Sequence, residues 1–129
     1  MLILALTLAF LGGAVGSIAR FWLSGAVAQR VGETFPYGTL AVNVVGSWVI
    51  GLATAWLAHH GNPFWALAVK VGIAVGFCGG LTTFSSFGLQ TWDLMLSNRW
   101  LSALVNVVGS TGLCLGAVAL GWGLGQKVF

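Results

Sequence analysis

Carboxylates are what this chain has least of: Glu33 and Asp93 are the only two in 129 residues, and charged residues of both signs make up 5%. Soluble domains carry about 25% charged residues, so an ordinary water-soluble enzyme is excluded. The five basic residues (Arg20, Arg30, Lys70, Arg99 and Lys127) give a formal net charge of +3. They are scattered along the chain and form no nucleic-acid footprint. Cysteine is also scarce. Cys78 and Cys114 each lie within an apolar run and read as small hydrophobes, not as a disulfide or a metal pair. No serine has a base at a persuasive spacing, and no glycine-rich loop leads into a Lys-Ser or Lys-Thr pair. The residues for hydrolysis and nucleotide chemistry are missing, so the chain does not read as an enzyme.

What it does have is apolar bulk: 58% hydrophobic residues and 20 glycines, with a mean hydropathy of +0.98. That composition is too apolar for disorder, and its glycines lack the strict period of three that collagen needs. A membrane-spanning helix takes roughly 20 apolar residues. Four such helices fit with room for turns, and a fifth would leave almost none. The expected spans run from about Leu2 to Val27, Thr39 to Ala58, Phe64 to Leu96 and Trp100 to Leu124. The run from Met1 reads as a retained helix, not a signal peptide, because no basic residue precedes its apolar core. The whole chain, 1–129, thus reads as one all-α integral membrane domain.

Orientation is poorly marked. Arg20, Arg30 and Arg99 flank one side, against Lys127 and a snorkelling Lys70 on the other. So even a balance fits insertion both ways, and with it an antiparallel dimer. Glycines four apart (Gly12 and Gly16; Gly72, Gly76 and Gly80; Gly112 and Gly116) predict close helix contacts. Trp22, Trp65, Trp92 and Trp100 fall near predicted ends, as interface belts do, whereas Trp48 and Trp56 are expected to pack against neighbours.

Polar residues inside the spans carry the chemistry. Asn43, Ser47 and Thr54 share one face of the second helix, and Asn106 and Ser110 pair one turn apart in the fourth. An amide in hydrocarbon either bonds helices together or lines a hydrated path. The third stretch is too long for one simple span and holds Gly79-Gly80-Leu81-Thr82-Thr83 at its middle. Two glycines followed by two β-branched residues favour a break there. A mid-membrane break frees backbone groups that must line a cavity or find partners. Phe84 and Phe87 follow directly, interleaved with Ser85 and Ser86. Ring edges are electropositive, so edges beside hydroxyl donors suit a small dehydrated anion. Arg20 either anchors at the interface or attracts anions to a vestibule. His59 and His60 read as turn residues.

The strings GGAVGSIARF (Gly12–Phe21), PYGTLAVNVVGS (Pro36–Ser47) and GFCGGLTTFSSF (Gly76–Phe87) resemble the CrcB/Fluc family of small bacterial fluoride channels. The resemblance covers nearly the whole chain. It implies a multi-pass protein of the bacterial inner membrane that exports cytoplasmic fluoride passively and confers fluoride resistance. Two antiparallel copies would form two pores along their interface, and a heterodimer with a paralogous subunit is also compatible. A structural sodium ion would sit at the centre on the backbone carbonyls of Gly79 and Thr82 from both copies. Asn43, Phe84 and Phe87 would line the fluoride pore, with hydroxyls from Thr83 and Ser85; Ser110 would belong to a polar track, and Arg20 to the vestibule. Two positions depart from the family pattern. Asn106 stands where a tyrosine is common, and Gln90 where a glutamate is common. The competing readings are a small multidrug-type cation transporter, which needs a membrane carboxylate this chain lacks, and a non-transporting assembly subunit.

Overall fold

Helices account for all the regular structure, and a computed structural model describes every residue, 1–129. α1 (Leu2–Val31) stops where Gly32 takes φ +83, a left-handed conformation that side chains with a Cβ disfavour. The Gly32 N–H still reaches back to the Ala28 carbonyl. α2 (Tyr37–His59) is followed by a turn in which the Asn62 side-chain oxygen accepts from the N–H groups of Phe64 and Trp65, at 3.0 and 3.3 Å. With Pro63 in the first turn, that is a complete start signal for the next helix. α3 (residues 63–81) opens over Pro63–Leu67, widens to π-helix over Ala68–Cys78 and ends in a last α turn, Gly79–Leu81. α4 (Phe84–Leu96) and α5 (Trp100–Val128) complete the chain.

Four stretches are long and apolar enough to cross a membrane: Leu2–Val31, Tyr37–His59, Pro63–Leu96 and Trp100–Val128. The first and last run about a turn beyond the expected ends. Arg30 and Lys127 sit in those final turns, where a cation meets the negative end of the helix dipole. The third stretch is bent mid-span, as expected, but the bend is narrower than the glycines suggest. Gly79 is helical (φ −64, ψ −36), and only Thr82 (φ −82, ψ 158) and Thr83 (φ −151, ψ 114) are extended. The Thr82 hydroxyl and N–H both turn back to the Cys78 carbonyl, at 2.8 and 2.9 Å, which closes α3. Thr83 then caps α4 by accepting from the Ser86 N–H at 3.2 Å. The threonines make the break, and the glycines serve packing.

α1 lies against α3, and α2 against α5. A Cβ on Gly12, Gly16 or Gly80 would strike a backbone carbonyl, of Gly72, Phe77 and Gly13 respectively. These contacts hold α1 and α3 backbone to backbone, where dispersion replaces the missing hydrophobic drive. Between α2 and α5 the close contacts use Gly51 and Gly121, facing the carbonyls of Val118 and Trp48. Gly112 and Gly116, expected to join this packing, face open space instead. They lie on the side of α5 turned away from α2. Trp56 stacks on His60 with ring centroids 4.2 Å apart, whereas Trp48 is 40% exposed, contrary to expectation. At one end Arg99 donates to the Thr34 carbonyl, drawing the 97–99 turn to the loop after α1. At the other, His59 Nε2 and Gln126 Oε1 are 3.0 Å apart.

Candidate functional site

The break exposes backbone groups in the middle of the bundle, and one side chain meets both polar groups of Thr83. Asn43 Oδ1 accepts from the Thr83 N–H at 2.7 Å, and its Nδ2 donates to the Thr83 carbonyl at 3.2 Å. In an unbroken helix that N–H would close on the Gly79 carbonyl. Asn43 therefore substitutes for helix bonding at the point where the chain is extended, and Gly79 is left with a carbonyl that lacks this partner. The amide has two donors and two acceptor positions, so one N–H remains for a further partner. Both readings of Asn43, helix connector and pore lining, meet in this geometry. The Thr83 hydroxyl donates to Ser86 Oγ at 3.0 Å and lies 3.2 Å from Ser85 Oγ. A short ladder of hydroxyls thus starts α4.

Thr83 lines two cavities, one on each side of the break. The first is a vestibule of about 880 Å³ that reaches the end carrying the 97–99 turn. Arg20 is there with Ser17 and Ser24 on the same face of α1, and Ser85, Ser86 and Gln90 line the opposite wall. Both carboxylates of the chain, Glu33 and Asp93, line it as well, with Arg99. Sequence reading placed Arg20 at such a vestibule but missed this convergence of charge. Removing Arg20 shifts the balance to the acids. An Arg20→Gln variant should pass anions about threefold more slowly at low salt, and the difference should fade as screening rises. Ion flux from vesicles at two ionic strengths measures it.

The second cavity, about 460 Å³, lies beyond the break and is lined by Asn43, Thr82, Phe84, Phe87, Ser110 and Cys114, among others. The rings of Phe84 and Phe87 are 5.3 Å apart and tilted by 39°. Phe84 is 82% exposed, so this cavity has an open side in the single chain. Both cysteines are free thiols, and both line it. Gly79 and Thr82, the two residues expected to offer carbonyls to a cation, line it too.

Asn106 does not reach this cavity. It is 2% exposed and bonded at both ends: Nδ2 donates to Thr91 Oγ1 at 2.9 Å, and Oδ1 accepts from Ser110 Oγ at 3.2 Å. Thr91 in turn donates to the Phe87 carbonyl at 2.7 Å. Thr91 escaped sequence reading. Its only signal was its place four residues after Phe87, where a threonine back-bonds to its own helix.

A model of the family described as "CrcB-like protein, Camphor Resistance (CrcB)" matches residues 7–122. The chain belongs to this family. Among similar CrcB relatives, a protein of Opitutus terrae named fluoride-specific ion channel FluC is 53% identical over 111 residues, covering 86% of this chain and 84% of its own. Fluoride-specific ion channel FluC 4 of Brucella abortus is 48% identical over 116 residues, covering 90% and 87%. The FluC of Paramagnetospirillum magneticum is 47% identical over 118 residues, 92% of each chain. Membership of the CrcB family, with four membrane-length apolar helices, makes the chain a multi-pass bacterial membrane protein and not an enzyme.

Proposed function

We propose that this chain, 1–129 as a single domain, is a fluoride-selective channel that lets cytoplasmic fluoride leave the cell down its electrochemical gradient. The observation that carries this reading is the Thr82–Thr83 break, set between a polar vestibule and a ring-lined cavity. Its CrcB relatives named fluoride-specific channels support it. Fluoride is small and strongly hydrated, and an unpaired charge in hydrocarbon costs on the order of tens of kcal/mol. The free N–H of Asn43, the hydroxyls of Thr83, Ser85 and Ser110, and the edges of Phe84 and Phe87 replace the water in steps. Arg20 gathers anions at the vestibule, and Asn106 supports the track from behind. No single group binds so strongly that the ion cannot leave.

The working unit is an antiparallel homodimer with two pores along its interface, or a heterodimer with a paralogous subunit. The open side beside Phe84 and the uncovered face of Gly112 and Gly116 support this, because a second copy would wall the cavity and use the glycines. The central sodium ion fits the donor set. Hard cations take neutral carbonyl oxygens, and the Gly79 carbonyl has lost its Thr83 partner to Asn43. Carbonyls of Gly79 and Thr82 from both copies would hold the ion. It would be structural, joining the two breaks without being transported.

Purified protein in liposomes loaded with fluoride should release it faster than empty vesicles do, as read by a fluoride-selective electrode, and release chloride far more slowly. Folded dimer that gives no fluoride signal above empty vesicles defeats the proposal.

A further inference from the structure

The buried hydrogen-bond chain between α4 and α5 has a direction, and the direction follows from its last member. The Phe87 carbonyl can only accept, so Thr91 gives it the hydroxyl proton and turns a lone pair towards Asn106. Asn106 must then present its NH2 to Thr91 and its carbonyl oxygen to Ser110. A serine has one hydroxyl proton, and here it is committed to Asn106. What Ser110 offers the ring-lined cavity in this state is a lone pair, which repels an anion.

We propose that Asn106 is a positioning residue whose amide, held through Thr91, sets whether Ser110 presents a donor or an acceptor to the cavity. This rests on the fluoride-channel reading. A half-turn of the amide reverses every bond: Thr91 donates to Oδ1, Nδ2 donates to Ser110, and the Ser110 proton is released towards an arriving anion. The reversed chain leaves no member without a partner, because the Phe87 carbonyl is already the helix acceptor for residue 91. An anion supplies the missing acceptor, so it selects the reversed state. A cation or an empty cavity selects the observed one. The site thereby favours an ion that accepts a strong hydrogen bond, fluoride above chloride. Burial makes the two states discrete: Asn106, Thr91 and Ser110 are 2%, 6% and 7% exposed, so no bulk water can fill a half-reversed chain.

The test uses reconstituted dimer, with fluoride and chloride efflux read side by side. Ser110→Ala should lower fluoride flux roughly tenfold, the effect of losing one donor in a dry site. Asn106→Asp should lower it as much, because a carboxylate only accepts and keeps the Ser110 proton turned inwards. In the Ser110→Ala background, Asn106→Asp should add nothing. A further loss there would mean that its charge acts directly on the ion, and would overturn the relay. Thr91→Val removes the hydroxyl that biases the amide, so fluoride flux should hold at the wild-type level while relative chloride flux rises severalfold. Loss of fluoride flux in a folded Thr91→Val dimer would also overturn it. An independent reading comes from the wild-type Asn106 side-chain amide in nitrogen-15 spectra, which fluoride should shift and chloride should not. A silent amide in a conducting protein sinks the relay alone, whereas a wild type without fluoride flux sinks the channel reading.

Discussion

Replacing Asn43 by leucine should stop fluoride efflux and lower the thermal stability of the folded protein together. Leucine matches asparagine closely in size, so the lost contacts are polar ones. The Thr83 N–H and carbonyl both lose their Asn43 partners, at 2.7 and 3.2 Å, and Thr83 is 8% exposed. An unpartnered buried polar group costs about 1–3 kcal/mol, so the pair costs about 2–6 kcal/mol. The chain has one local remedy, which is to close the Thr83 N–H on the Gly79 carbonyl and continue the helix. That would withdraw the Gly79 carbonyl and rotate Phe84 and Phe87 away from the cavity. Hydrogen exchange at Thr83, thermal melting and vesicle efflux follow the three consequences separately. Asn43→Asp keeps the acceptor for the N–H but sets a carboxylate against the Thr83 carbonyl. It should recover part of the stability and none of the flux. A leucine variant that conducts and melts like the wild type would refute the clamp.

The membrane helices were legible because each one announces itself locally, by an apolar run longer than a bilayer needs and a polar turn to stop it. The break was legible in outline for the same reason, since glycine and β-branched residues act on their own backbone. Its position was not. Gly79 and Gly80 are poor helix formers in isolation, yet Gly80 is pressed onto α1 at Gly13 and stays helical. Tertiary contact overrides propensity there, and the hydroxyl bonds of Thr82 and Thr83 decide where the helix opens. The π-helical stretch before it carries no sequence mark of its own. Partners across long separations were hidden for a different reason. Asn43 meets Thr83 forty residues on, and Asn106 meets Thr91 across a turn. A single sequence states that a buried amide needs partners, not which ones. Arg20, Glu33, Asp93 and Arg99 likewise reach one vestibule from separate segments. In the case of Gly112 and Gly116, the spacing was read correctly as a packing surface, but nothing local says whether its partner lies within the chain.

Substituting isoleucine for both Phe84 and Phe87 should reduce fluoride flux about a hundredfold while leaving dimer formation and melting temperature nearly unchanged. Isoleucine preserves apolar bulk and removes the ring, so the substitution isolates the electropositive edge. Oriented aromatic interactions are worth about 0.5–1.5 kcal/mol each beyond burial, a factor of up to roughly ten per ring. Two rings 5.3 Å apart at one cavity act on the same ion, so their losses combine. Folding should not suffer, because Phe84 is 82% exposed in the single chain and contributes little to its core. Each single variant should fall between the wild type and the double. The comparison with Asn43→Leu is the informative one. That variant should lose flux and stability together, whereas the ring variants should lose flux alone, which separates the groups that hold the break from the groups that touch the ion. Unchanged fluoride flux in a folded double variant would mean that the rings only fill space, and the dehydration of fluoride would then have to rest on hydroxyl and amide donors alone.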